Sequence, residues 1–236
     1  DVTPRDAELH FALAAAVKAR GDIANAVDHY RRGLELDASS AEAHCNLCHA
    51  LNELGRYDEA REYGEKALHL DPGLAEAHHN LGLTFLALGR PADAAQCFLR
   101  ARAIKPMLPH VPAALGHAYR DLGQFEDARA AYDAALQVAP GFGDAIINRA
   151  YLFLMQGDFK RGWDEYENRF TATGTGKRDF SLPRWQGETL AGKTVLVHAE
   201  QGIGDEIMFA SCLPDLITVS GRVVIECSQR LASLFL

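Results

Sequence analysis

Residues 41–74 read AEAHCNLCHALNELGRYDEAREYGEKALHLDPGL, and residues 75–108 read AEAHHNLGLTFLALGRPADAAQCFLRARAIKPML. In the first segment Leu47, Leu51 and Leu54 recur at helical spacing, which gives one helix with a single apolar stripe. Gly55 ends that helix, where a left-handed backbone suits glycine. Tyr57, Ala60, Ala67, Leu68 and Leu70 then give a second helix its own stripe, with Ala60 small enough for close approach. Asp71-Pro72 stops it, because the residue before proline disfavours the α region. The second segment repeats this plan position by position.

The plan extends along most of the chain. Gly21, Gly55, Gly89, Gly123 and Gly157 stand 34 residues apart. Leu54, Leu88 and Leu122 precede three of them, Ala26, Ala60, Ala94 and Ala128 follow five positions later, and Pro72, Pro106 and Pro140 close three units. On these residues the chain resembles the tetratricopeptide-repeat (TPR) family, whose unit is a 34-residue helix–turn–helix. The resemblance spans roughly residues 7–171, with repeats at about 7–40, 41–74, 75–108, 109–142 and 143–171, and gives a TPR domain over residues 1–171. It implies a mainly α fold, a right-handed solenoid, and a concave surface that binds a protein or an extended peptide. The expected function is a protein–protein interaction scaffold. Repeat five departs from the pattern, with Arg149 at a leucine position and Gly162 at the close-packing alanine.

Composition narrows the partners. With 236 residues and 48% hydrophobic content there is room for a solenoid core and a smaller second element. A formal net charge of −8 argues against a nucleic-acid partner, which usually needs a basic face. No apolar run is long enough to span a membrane. Five cysteines without a disulfide-framework spacing read as reduced thiols, as in a cytoplasmic protein. Because the chain opens on Asp1 rather than Met, it is expected to be a piece of a longer protein.

Near residue 171 the pattern changes. Thr171 to Lys177 is rich in threonine and glycine, and residues 172–193 read as a linker. Residues 194–236 read as the start of a Rossmann-like unit in the order β-α-β-α. Thr194 to Ala199 is a buried strand, Gln201 to Asp205 a glycine loop, and Glu206 to Val219 a helix kinked or ended early at Pro214. Arg222 to Cys227 is a second strand, and Gln229 to Leu236 begins a second helix. Two parallel strands make no stable sheet, so further sequence is expected beyond Leu236.

The segment from Leu182-Pro-Arg-Trp-Gln-Gly187 to His198-Ala-Glu-Gln-Gly-Ile-Gly-Asp205, preceded by Gly162-Trp-Asp-Glu-Tyr-Glu-Asn-Arg169, carries a second resemblance. It is similar to the start of heptosyltransferase-type (GT-B) glycosyltransferase domains behind TPR arrays in bacterial proteins. That resemblance implies a ligand loop at Gly202, Gly204 and Asp205, with Asp205 at the position of a candidate general base. It also implies a nucleotide sugar as partner of the full-length parent, whose repeats would present a protein substrate. The fragment itself is expected to be catalytically silent. Asp205 equally suits a helix N-cap, which would occupy its carboxylate.

Three motifs read as structure rather than sites. Gly187-Glu-Thr-Leu-Ala-Gly-Lys193-Thr194 satisfies the P-loop pattern, but its lysine precedes a strand instead of opening a helix. Cys45-Asn-Leu-Cys48-His49 matches the c-type haem pattern, yet Cys48 fills the small buried helix position held by Gly82 and Gly116 elsewhere. His44, Cys45, Cys48 and His49 cannot all converge on zinc, since neighbours one apart on a helix face different ways. We therefore expect no metal and no cofactor. His10, His44 and His78 share a repeat position and read as interhelix packing with a hydrogen bond.

The groove residues follow from the repeat register. Asn46, Asn80 and Asn148 share one position, and their arrangement resembles the asparagine ladder of the TPR domain in O-GlcNAc transferases. Asparagine is unfavourable inside a helix, and its amide matches both groups of a peptide bond. Two readings stand at this point: the ladder grips a peptide backbone, or each asparagine bonds only its neighbouring helix. The wall reads Phe11, Cys45, His79, Ala113 and Ile147, then Ala15, His49, Leu83, His117 and Tyr151, then Lys18, Asn52, Leu86, Arg120 and Leu154. Peptide contact is expected from Asn46, Asn80, Asn148, His49, His79, His117, Arg120 and Tyr151. Glu8, Glu42, Glu76 and Asp144 form an acidic edge.

Overall fold

The structure is a computed structural model and describes residues 4–169, 180–199 and 203–234. It divides into two compact units, Asp1–Lys177 and Arg178–Leu236. The Thr171–Lys177 stretch and Gly202 lie outside the described residues.

The first unit is a run of helix pairs: α1 (Pro4–Ala19) with α2 (Ile23–Leu36), α3 (Ala41–Glu53) with α4 (Tyr57–Leu70), α5 (Ala75–Ala87) with α6 (Pro91–Ile104), α7 (His110–Asp121) with α8 (Phe125–Val138), and α9 (Gly143–Met155) with α10 (Phe159–Tyr166). The five turn glycines have φ between +69° and +85°. A Cβ at Gly21, Gly89, Gly123 or Gly157 would meet nothing within 4 Å, so the demand there is backbone conformation rather than space. Asp37, Asp71, Lys105 and Ala139 end the second helices with φ from −128° to −140°. Proline follows three of them. Asp37 reaches the same conformation without one, its carboxylate accepting from the Ser39 backbone at 2.9 Å and hydroxyl at 2.6 Å.

Other glycines serve space. A Cβ on Gly82 would come within 2.5 Å of the Phe98 ring, and one on Gly116 within 2.5 Å of the Tyr132 ring. Phe98 and Tyr132 thus each pack against the bare backbone of the first helix of their repeat. Repeat two inverts the arrangement: Cys48 sits on the first helix and Gly64 faces it, where a Cβ would lie 3.2 Å from both Cys48 and Leu81. Cys48, Phe98 and Tyr132 are all 0% exposed. The off-pattern Arg149 of repeat five is accommodated by ion pairs, to Asp133 of α8 and to Glu165 of α10 at 2.9 Å.

Successive first helices also touch one another, α3 with α5, α5 with α7 and α7 with α9, whereas no comparable contact joins the second helices. The first-helix side is therefore the tighter, inner side of the stack.

The second unit holds β1 (Thr194–His198), α11 (Ile203–Ala210), α12 (Leu213–Val219), β2 (Arg222–Glu226) and a 3₁₀ turn (Gln229–Leu234). β1 pairs with β2 in parallel, Thr194 opposite Arg222 and His198 opposite Glu226. Three expectations are corrected here. The helix breaks at Ser211–Cys212, ahead of Pro214, which opens α12 in its first turn, where its missing N–H costs nothing. The closing element is a 3₁₀ turn rather than an α-helix, entered by a Leu231 N–H to Ser228 carbonyl bond of 2.8 Å. Gly204 and Asp205 stand inside the first turn of α11 rather than in a loop before it, so Asp205 is past the N-cap position.

The glycine–aromatic crossings predict that Gly82→Ala lowers stability by about 1–3 kcal/mol through overpacking. Urea unfolding followed by circular dichroism checks this, and adding Phe98→Leu to Gly82→Ala is expected to recover part of the loss.

Candidate peptide-binding groove

The inner face carries the expected rows in three environments. Cys45 (4% exposed) and Ala113 (0%) lie beneath the surface, so they form its floor rather than its wall. Phe11, His79 and Ile147 of the same row remain partly open, as do His49, Leu83 and His117 of the next, whose Tyr151 is 42% exposed. Lys18, Asn52, Leu86, Arg120 and Leu154 are all half-buried. The centre is thus apolar, around Leu83 and Leu86, and the ends are polar.

At one end Lys18 lies 3.0 Å from Glu53 and donates to the His49 ring. The same ring nitrogen also lies 3.4 Å from Glu53 Oε1. Burial pushes the His49 pKa down, and the Lys18 charge pushes it the same way. Behind this group Asn52 donates to the Asn80 carbonyl at 3.0 Å and accepts from the Thr84 hydroxyl at 2.9 Å, tying α3 to α5.

At the other end Arg120 donates from Nε and Nη2 to Asp121 Oδ1, at 3.1 and 3.0 Å, and from Nη1 to Asn148 Oδ1 at 3.1 Å. Asn148 in turn donates to the Asp144 carbonyl at 2.8 Å and to Asp144 Oδ1 at 2.9 Å. Asp144 Oδ2 faces His117 Nε2 at 3.5 Å. The His117 ring lies 5.7 Å from the Tyr132 ring, and burial pushes its pKa down against the opposing charge of Asp144.

The asparagine register does not produce one environment. Asn46 is exposed. Asn80 is 9% exposed, and its amide donates to the Cys45 carbonyl at 3.4 Å and Sγ at 3.3 Å on the neighbouring helix. Asn148 is held by Asp144 and Arg120. Glu53 is a groove-end residue that register reasoning missed, and Thr84 and Tyr132, both 0% exposed, lie behind the wall. The sequence signal for Tyr132 is its pairing with Gly116, which places a phenol under the first helix.

The remaining candidates fall elsewhere. His44 and His78 bond the turn carbonyls of Ala38 (3.1 Å) and Pro72 (3.0 Å), both six residues back, while His10 meets His29 at 3.1 Å. Burial pushes the Cys45 thiol up to about 11 and the Cys48 thiol up to about 12. Among the described residues no group of three or more His, Cys, Asp or Glu is placed to hold a metal ion. Nor is any helix among them long and apolar enough to cross a membrane. Glu76 of the acidic edge pairs with Lys105 at 2.5 Å. The P-loop-like segment ends in a turn ahead of β1, with Lys193 N–H on the Leu190 carbonyl at 2.9 Å.

Comparison with known proteins agrees with this architecture. Residues 39–107 and 113–174 each match the tetratricopeptide-repeat family, together more than half of the sequence, and the chain belongs to that family. Protein FlbA of Caulobacter vibrioides is 39% identical over 92 residues, a match covering 37% of this chain and 15% of FlbA. The fold is similar to that of MamA from Desulfovibrio magneticus RS-1, with TM-score 0.64 and 19% identity over 73% of this chain and 98% of that one. It is also similar to YrrB, described as a TPR protein with an unusual peptide-binding site, with TM-score 0.56 and 20% identity over 70% of this chain and 86% of that one.

His79 supplies a pH prediction. Its ring lies 4.7 Å edge-on from His110 and 5.7 Å from Phe98. Burial, then the His110 charge, pushes its pKa down to about 4. A histidine depressed in the folded state takes up its proton on unfolding, so its contribution is lost as pH falls from about 6.5 to about 4. Thermal melts between those values are expected to show a loss of roughly 1–3 kcal/mol from this group. His79→Leu is expected to flatten that slope.

Proposed function

We propose that the inner face of the repeats holds an extended segment of a protein partner, making the chain an interaction scaffold. The observation that carries this reading is the half-open apolar centre at Leu83 and Leu86, bounded by two hydrogen-bonded polar clusters. Apolar side chains of a partner buried there would contribute about 1.5–3 kcal/mol each. Asn46, His49, His79, His117, Arg120 and Tyr151 stand on the open side of the first helices and serve as contacts. Asn80 contributes rigidity instead, because its amide is committed to Cys45. The likeness to YrrB, a TPR protein with an unusual peptide-binding site, is in keeping with this assignment.

The test is calorimetry with a 12-residue peptide selected on the wild-type protein from a random library. Leu83→Glu is expected to weaken binding by about tenfold or more, and Asn46→Ala by about 1 kcal/mol, with helicity unchanged. Asn80→Ala is expected to lower the unfolding free energy by about 1–3 kcal/mol as well, since it leaves buried groups unpaired. Unchanged affinity in Leu83→Glu would refute the groove.

A second reading concerns the second unit. What supports a Rossmann-like domain opening is the parallel pairing of β1 and β2, joined through helices, with Gly204 and Asp205 in the helical turn after the carboxyl end of β1. In a longer glycosyltransferase this end would face a nucleotide sugar, with Asp205 as general base. Asp205→Asn in such a full-length protein is then expected to reduce sugar transfer by ~10²-fold with folding intact. Undiminished transfer would refute it.

A further inference from the structure

Where one helix pair stacks on the next, the same repeat positions meet. Ile23 and Val27 of α2 share an apolar cluster with Ala43 and Leu47 of α3. Ala95 of α6 does the same with Val111 and Leu115 of α7, and Phe125 of α8 with Ala145 of α9. Each junction thus has two unlike halves, one on a second helix and one on the first helix that follows. Ala43, Ala77, Val111 and Ala145 hold one position of the following half, and all four are buried.

The two ends of the stack carry the same two halves, and there they are open. Leu9 and Leu13 of α1 stand 34 residues before Ala43 and Leu47, and they are 59% and 38% exposed. Phe159 and Trp163 of α10 stand 34 residues after Phe125 and Arg129, and they are 62% and 46% exposed. A repeat array that ends in water carries polar outer faces. These end faces are apolar instead, and their side chains are larger than those inside the stack. Leu9 aligns with three alanines and a valine, and Trp163 with Val27, Arg61, Ala95 and Arg129.

The difference in size indicates the kind of joint. Inside the stack a short turn ties successive pairs together, so the two halves meet at high effective concentration and alanine suffices. Separate molecules lose translational and rotational freedom on joining, and a larger buried apolar area offsets that loss. A joint without the turn also admits the wider spacing that Leu9 and Trp163 require. Each end face is one half of a junction, and the half that completes it is on the opposite end of the same chain. A contact between unlike faces of identical molecules is heterologous.

We propose that the Phe159–Trp163 face of one copy of this chain receives the Leu9–Leu13 face of a second copy, so that copies associate head to tail. The joint continues the apolar core of the repeats from one molecule into the next and uses none of the groove residues. It does not stop at a dimer, because each added copy presents a fresh face.

The experiment is sedimentation velocity of the whole chain over a concentration series. Leu9→Glu disables one face and Phe159→Glu the other. Both replaced side chains are more than half exposed, and Phe159 opens α10, where a carboxylate suits the helix N-terminus. Both variants are therefore expected to fold, which circular dichroism verifies. The wild type is expected to gain mass with concentration, and each variant alone to associate about tenfold more weakly or less. An equimolar mixture of the two variants is expected to form dimers and nothing larger, because each pair of molecules holds one intact face of each kind. A wild type that stays monomeric throughout would overturn the proposal and leave the end faces to some other partner. A variant that self-associates like the wild type would overturn it too, since the contact would then join like faces or lie elsewhere. So would a mixture that forms no dimer.

Discussion

The first unit depends on how closely two helices of one repeat can approach. At each crossing one partner gives up volume so that the other can fill it: Gly82 under Phe98, Gly116 under Tyr132, and Gly64 against Cys48. Cores packed to crystal-like density leave no slack for an extra methyl group at such a point. The left-handed turn at Gly55 and its four equivalents then fixes the angle at which the second helix returns. Once each pair is set, stacking buries a core running across repeats, from Val27 and Leu47 through Leu81 and Phe98 to Leu115 and Leu152.

Stacking also decides which side is available to a partner. Because the first helices crowd together, polar side chains on them meet across the repeat boundary, as Asn52 meets Thr84 and Arg120 meets Asn148. These bonds hold neighbouring repeats in register and fix the ends of the groove. The same crowding sinks Cys45 and Ala113 below the surface. Histidines drawn into this wall, His49, His79 and His117, all have depressed pKa values because burial disfavours their charged forms.

The second unit lacks such mutual support. Ile207, Met208, Phe209 and Ile217 on its helices are about half exposed, and Val224 of β2 is 38% exposed. Two parallel strands bury little of their own apolar surface. Its local turns are nonetheless specified: Gly192 has φ +71°, and a Cβ on Gly221 would come within 2.7 Å of the Gly192 backbone.

The amino-acid sequence by itself determined the 34-residue period, the positions of the helices and their turns, and the side of each first helix that faces inward. These depend on local rules: glycine at a positive φ, proline after an extended residue, and apolar spacing at helical period. The fate of each polar side chain was settled only by the tertiary structure. Asn46, Asn80 and Asn148 are identical in register, yet one is open, one bonds Cys45 and one is clasped by Arg120 and Asp144. Likewise Arg149, out of place as a leucine substitute, finds Asp133 and Glu165 on two other helices. A hydrogen bond or ion pair needs a partner brought within about 3 Å, and here that partner belongs to another helix. Periodicity fixes which way a side chain points, but only the packed stack decides what it meets there.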